Sequence, residues 1–249
     1  MPQGGVQSVS RAFALLECLV SFGGEAGLAE LATTLGAPPS SVHRTLRSLL
    51  MHGYVTQLPS RRYSLGPALI PIGEAATRRL SSWAMPALTR LGELTQETAN
   101  MAVLDGDMAA YVAQVPSRHQ MRMFTEVGRR VYPHSTGVGK ALLAQLPDER
   151  VVEIVQRTGM PAFTSATLLT ATALLADLEV VRLRGYATDD GEQEVGVRCI
   201  AVPVTGIAQP AAVSVSGPAV RMAAGQIEAA LAALRDAANR LRTAASNRS

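Results

Sequence analysis

Apolar residues recur at helical spacing through the first fifty positions and alternate after them, and that change of period predicts the elements. Val9, Ala12, Phe13, Leu16, Leu19 and Val20 form a stripe over residues 8–22, a first half-buried helix for which Ser8 or Ser10 offers an N-cap. Gly23-Gly24 breaks it. Leu28, Leu31, Ala32 and Leu35 then predict a short second helix ending at Gly36, and Pro38-Pro39 turns the chain. A third helix over 39–52 starts with Pro39 at its first position and stops at Gly53. Val42, Leu46, Leu49 and Leu50 form its apolar side, with Ser40, Ser41, Arg44, Arg47 and Ser48 opposite. Residues 54–57 and 62–65 read as a hairpin around Pro59-Ser60-Arg61. Three helices followed by a hairpin are a winged helix-turn-helix.

The helical period returns from 66 to about 98, with Leu69, Ile72, Gly73 and Ala76 in one segment and Leu88, Leu91, Leu94 and Thr95 in the next, which Pro86 opens. Ser81 and Ser82 mark a joint between domains. Beyond 98 the pattern is mixed. Strands at 101–104 and 109–115 flank Asp105-Gly106-Asp107, a hairpin signal. Helices are expected at 137–146, 148–157, 171–184 and 225–243, and strands at 120–125, 129–132, 186–189, 197–204 and 211–216. This is an α+β domain, with disorder expected only over 245–249.

A chain of 249 residues with 47% hydrophobic content is long enough for two packed domains. The net charge of +3 permits a polyanionic partner without requiring one, so the placement of arginines matters more than their total. Lys140 is the single lysine, a bias that a GC-rich genome would also produce. Cys18 and Cys199 stand apart with no CxxC spacing, which suggests neither a disulfide framework nor a zinc site. No metal or cofactor is implied. With no apolar run of about 18 residues and no basic-then-apolar leader, the expectation is a cytoplasmic protein without a membrane partner.

A helix that reads the major groove presents short polar side chains and arginine on one face and an apolar anchor on the other. Residues 39–52 meet that description. Ser40 and Ser41 at the helix start can bond phosphate or base edges, Arg44 and Arg47 can reach guanine or phosphate, and His43 lies on the helix edge. Arg61 and Arg62 at the hairpin tip suit a flanking groove or backbone. Any amphipathic helix with a solvated face would look similar in isolation, but the two preceding helices, the tight turn and the basic hairpin favour double-stranded DNA.

From about Val6 to Arg242 the chain resembles the IclR family of bacterial regulators. The resemblance rests on Ser40-Ser41-Val42-His43-Arg44-Thr45-Leu46, His134-Ser135-Thr136-Gly137-Val138-Gly139-Lys140-Ala141, Gly185-Tyr186-Ala187-Thr188-Asp189-Asp190, Val197-Arg198-Cys199-Ile200-Ala201 and Ser214-Val215-Ser216-Gly217-Pro218. It implies a winged helix-turn-helix domain at 1–66, a linker helix at 67–82 and a GAF-like effector-binding domain at 83–249. It also implies a homodimer or tetramer, joined through the N-terminal domains and again through the sensor domains.

Carried over residue by residue, the resemblance implies an effector pocket with the backbone amides of Gly137 and Val138, polar contacts from Asp189, Cys199, Ser214 and Ser216, and apolar walls from Met123 and Val197. Such pockets take small organic acids or aromatic metabolites. Met121-Arg122-Met123-Phe124-Thr125-Glu126-Val127-Gly128 and Asp105-Gly106-Asp107 are most similar to regulators of allantoin and glyoxylate metabolism. The chemistry is consistent: a helix N-terminus favours a carboxylate, and Ser214 and Ser216 share one face of a strand. An ionised Asp189, however, would repel an anion. The expected function is a transcriptional regulator, by default a repressor, controlled by an organic acid or ureide.

Other readings are weaker. Gly137-Val138-Gly139-Lys140 is not a phosphate-binding loop, because His134 stands where the first glycine belongs and Ala141 replaces the Ser or Thr that would hold magnesium. Cys199, His134 and Asp189 would be the parts of a small α+β hydrolase, but their spacing does not support it, and a thiol inside an apolar strand is inert. No catalytic residue is assigned. A protein-interaction adaptor using the winged helix without DNA is a further alternative.

Overall fold

The computed structural model describes residues 6–121, 126–207 and 209–246. Two units meet between Ala76 and Thr77.

In the first unit, α1 (Gln7–Ser21), β1 (Glu25–Ala26), α2 (Leu28–Thr34), α3 (Pro39–Met51), β2 (Val55–Gln57) and β3 (Tyr63–Leu65) enclose one core. The strands form an antiparallel sheet in the order β1-β3-β2, with Ala26 opposite Tyr63 and Val55 opposite Leu65. Val42, Leu46 and Leu49 bury one side of α3 against Leu15, Leu19 and Leu31. Each fully buried leucine contributes about 2 kcal/mol by removing apolar surface from water.

One expectation is corrected on α1. The helix starts at Gln7 after Val6, with no side-chain cap, so Ser8 and Ser10 lie inside the first turn. The core takes Leu15, Cys18 and Leu19, while Val9 is 51% and Phe13 61% exposed. Of the stripe read from the pattern, Leu19 enters the core and Ala12 and Leu16 pack against it, as a half-buried helix requires, while Val9, Phe13 and Val20 form an exposed apolar face. α4 (Leu69–Leu80) begins in the first unit and leaves Ile70 and Ile72 exposed.

The second unit has α5 (Met85–Thr95), β4 (Thr98–Asp105), β5 (Met108–Val115), β6 (Arg130–Val131), α6 (Gly137–Leu143), α7 (Asp148–Thr158), α8 (Ala171–Arg184), β7 (Ala187–Asp190), β8 (Val197–Val204), β9 (Ala211–Pro218) and α9 (Ala224–Ser246). One antiparallel sheet runs β6-β5-β4-β9-β8-β7. Because side chains alternate along a strand, β8 sends Ile200, Val202 and Val204 into the core under α5 and α9 and turns Cys199 and Ala201 the other way. On that second face Ala102, Ala201 and Ala212 form a floor of methyl groups, against which α6 packs with Val138, Ala141 and Leu142. The helices α7 and α8 complete the layer through Ile154, Leu174 and Leu178.

The strand expected at 120–125 does not form at Gln120 and Met121, which lie in a bend, and 122–125 fall outside the described residues. The helix expected to reach 146 ends at Leu143. Ala245 and Ser246 belong to α9, which corrects the disorder expected at those two positions, and 247–249 lie outside the described residues.

Candidate functional site

The solvent face of α3 carries Ser40, His43, Arg44, Arg47 and Ser48, all exposed, and no acidic residue lies on the helix. Ser41 is half-buried and accepts a hydrogen bond from Arg11 Nη1 at 3.3 Å. Arg11, on α1, thus joins the basic surface at the start of α3, although nothing in its own segment marks it. At the hairpin tip, Arg61 donates its backbone N–H to Leu58 at 2.9 Å and holds φ +63. That left-handed conformation suits glycine, so an arginine there is retained at a backbone cost of about 1–2 kcal/mol. Arg62 is differently placed. It pairs with Glu25 at 2.8 Å and Glu30 at 3.0 Å, which pins the wing to α2 and neutralises its charge locally.

In the second unit, a cavity of about 50 Å³ opens on the α6 side of the sheet, lined among others by Tyr111, Arg129, Asp189, Val197, Cys199 and Ser216. Strand register builds it: Asp189 lies opposite Cys199, Cys199 opposite Ser216, and Ser216 opposite Thr98, a polar row across four strands. Four expected residues, Asp189, Val197, Cys199 and Ser216, meet here. Ser214 is fully buried two residues along β9, where its hydroxyl and the Nδ2 of Asn100 on the paired strand have no hydrogen-bond partner. Gly137 and Val138 do not line the cavity. The Val138 amide faces the Cys199 thiol, and Gly137 packs so closely that a Cβ there would lie 2.8 Å from Cys199 Sγ. Met123 falls outside the described residues.

The glycine-lysine segment is explained by packing. A Cβ on Gly139 would lie 2.4 Å from the Pro133 backbone, and Thr136 caps α6 by accepting from Gly139 N at 3.1 Å. Lys140 is buried, with Nζ 2.7 Å from Glu192 and 3.0 Å from Asp177. This ion pair anchors the turn after β7, whose Glu192 amide donates to Asp189 Oδ1 at 2.7 Å.

Burial pushes Asp189 up to about 7, opposed by the amides of Glu192 and Gln193. The carboxyl is therefore half neutral near pH 7, which removes much of the repulsion that an ionised Asp189 would exert on an anion. Burial, with Asp189 nearby, also raises the Cys199 thiol to about 11, so it is a protonated hydrogen-bonding group, unlike an activated nucleophile. His134 packs elsewhere, with Nε2 3.1 Å from the Pro161 carbonyl and its ring between Tyr132 and Phe163.

Sequence reasoning missed Tyr111, Arg129, Thr136, Gln193 and Glu194, which also line the cavity. Tyr111 sits in a mostly apolar strand, and Arg129 reads as one of many arginines.

Residues 8–59 match the family described as the IclR helix-turn-helix domain, and residues 75–243 match that described as the bacterial transcriptional regulator IclR C-terminal domain. The chain is 36% identical over 243 residues to the HTH-type transcriptional regulator BhcR of Paracoccus denitrificans, covering 96% of this chain and 87% of that protein. It is 38% identical over 226 residues to the transcriptional repressor IclR of Escherichia coli, covering 88% and 82% respectively. The crystal structure of an IclR transcriptional regulator from Alicyclobacillus acidocaldarius superposes with a TM-score of 0.85 at 27% identity, covering 97% of this chain and 99% of that one.

Proposed function

The chain belongs to the IclR family of bacterial transcriptional regulators, and from that premise we propose that it is a cytoplasmic repressor whose hold on its operator is set by a small organic acid. The observation that carries the sensing half is the polar cavity around Asp189, Cys199 and Ser216. In this reading residues 1–66 read DNA, 67–82 link and 83–249 sense. Repression is supported by the E. coli relative, which is named a repressor.

On the DNA side, Ser40, Ser41, His43, Arg44 and Arg47 face the major groove, and Arg61 takes flanking phosphate or minor groove. Arg62 contributes mainly by holding the wing through its two carboxylates. Arg44→Ala and Arg47→Ala are each expected to weaken binding to a selected duplex by about 1–3 kcal/mol with an unchanged melting temperature. Equal affinity of both variants and the wild type, read by fluorescence anisotropy, would remove α3 from the interface.

One module makes too few base contacts for operator specificity, and a homodimer supplies the second half-site. The exposed Val9, Phe13 and Ile72 form the apolar side of a groove in the first unit whose other side carries Arg11, Ser41 and Arg44, and we assign the apolar side to a second copy of the chain and the polar side to DNA. A tetramer would require a second contact through the sensor domains.

On the sensing side, a group the size of water needs about 10–15 Å³, so the cavity of about 50 Å³ takes roughly four such groups. That favours glyoxylate, with about five non-hydrogen atoms, over the ureide allantoin, with about eleven. At a ceiling of about −1.5 kcal/mol per atom, glyoxylate gains at most about −7.5 kcal/mol, which is micromolar affinity and suits a sensor of metabolite accumulation. Thr136 and Ser216 on the cavity wall supply hydroxyls, Cys199 a thiol and neutral Asp189 a further donor. A thermal-shift screen of small acids and ureides tests this reading: a specific binder raises the melting temperature by linkage, and a flat screen would leave the cavity without an effector.

A further inference from the structure

We propose that Tyr111 and Arg129 select which acid the cavity accepts, Tyr111 by limiting its size and Arg129 by pairing with its carboxylate. The proposal rests on reading this cavity as the effector site.

Tyr111 stands opposite Ala102 in the β4–β5 register and is 5% exposed. Its ring rises from a floor made by Ala102, Ala201 and Ala212, side chains that end at one methyl group. Val138 and Leu142 of α6 cover part of that floor, and the Tyr111 ring is the largest side chain of the cluster and the one that lines the cavity of about 50 Å³. No hydrogen bond engages the Tyr111 hydroxyl among the described residues. Burial raises its pKa, and Cys199 and Asp189 lie near enough to raise it further, so the phenol stays protonated and is a ready donor to a ligand oxygen.

Arg129 is fixed next to that ring. Its carbonyl accepts from Tyr111 N at 3.0 Å, and its exposed side chain reaches the cavity wall. Neighbouring Arg130 is committed to Asp105 at 2.8 Å, whereas no carboxylate lies within ion-pair distance of Arg129 among the described residues. Glu194 also lines the wall and is exposed, so water screens it. An unpaired guanidinium beside a partly neutral Asp189 makes the wall net attractive to a compact monoanion, and its planar fork matches a carboxylate.

Isothermal titration of the full chain with glyoxylate as the compact probe and benzoate as the bulky one tests the proposal. The wild type is expected to bind glyoxylate and to exclude benzoate. Tyr111→Ala is expected to weaken glyoxylate at least tenfold and to gain benzoate binding. Arg129→Gln is expected to weaken glyoxylate at least tenfold while still excluding benzoate. Should Tyr111→Ala fail to fold by circular dichroism, Tyr111→Val, which suits a strand and still removes the ring, carries the same expectation. A Tyr111 variant with wild-type size preference, or Arg129→Gln with unchanged affinity, would overturn the proposal. Wild-type binding of benzoate as tightly as glyoxylate would overturn the size limit while leaving the effector reading intact. Wild-type binding of neither probe would overturn the effector reading itself.

Discussion

Replacing Lys140 by methionine keeps an unbranched side chain of similar length and deletes one charge. In the folded chain that charge is 1% exposed and lies 2.7 Å from Glu192 and 3.0 Å from Asp177. Without it, two carboxylates face each other, with side chains only 12% and 29% exposed. Breaking a buried pair by removing one partner destabilises by about 3–5 kcal/mol, because the remaining charge is neither hydrated nor compensated. For a unit of this size that is a fall of roughly 6–20 °C in melting temperature. Burial already raises Glu192 above its ordinary value, with Lys140 opposing the shift and Asp177 adding to it. Loss of Lys140 raises it further. A carboxyl raised in the folded state binds protons that the unfolded state does not, so the variant should regain stability as pH falls from 7 towards 5. Urea unfolding followed by circular dichroism at both pH values is the assay, with Lys140→Met/Glu192→Gln as the companion variant. The companion should recover most of the loss at pH 7. A single variant within about 1 kcal/mol of wild type at pH 7, or a companion no better than the single, would refute the reasoning.

The wing predicts a trade-off: Arg61→Gly relieves the left-handed backbone and should leave stability unchanged or raised by up to about 1 kcal/mol in thermal melts, while weakening duplex binding. Asp189, held near 7, is destabilising when ionised, so wild-type stability should decline as pH rises from about 4 to 7. At about 1.4 kcal/mol per pH unit the penalty reaches at most about 4 kcal/mol. Asp189→Asn should flatten that slope in unfolding titrations, leaving the smaller part due to Glu192, and should also remove the wild-type decline in glyoxylate affinity above pH 7. Phe13→Arg, placed on the exposed face of α1, should shift the protein to monomer in sedimentation velocity with little change in melting temperature. A variant that sediments like wild type would exclude that face from self-association.

Much of the first unit is legible in the pattern, because Val42, Leu46 and Leu49 repeat at helical spacing and Pro39 and Gly53 bracket the helix. The face of α1 was not. Periodicity marks an apolar stripe but not what covers it, and Val9 and Phe13 lie outside the core that Leu15, Cys18 and Leu19 enter. β1 has two residues, too few for alternation to register. In the cavity, Asp189, Val197, Cys199 and Ser216 come from motif segments that the family resemblance supplies. Tyr111 and Arg129 come from a hairpin and the chain after it, and only the sheet register carries them to the same place. Lys140 illustrates the converse. Its rarity was visible as composition, but its meaning depends on Asp177 and Glu192, 37 and 52 residues away.

The central claim is that one chain reads DNA through α3 and changes its grip when a compact acid enters the cavity. The direct measurement is anisotropy of a duplex enriched by the protein from a random library, titrated with and without saturating glyoxylate. A ligand that favours one of two states must change the affinity, and a coupling of typical size corresponds to roughly 5- to 150-fold. The account predicts a shift in that range for the wild type, and in Arg129→Gln a shift that develops only at glyoxylate concentrations at least tenfold higher. The same affinity with and without glyoxylate, in a protein that binds glyoxylate by calorimetry, would contradict it.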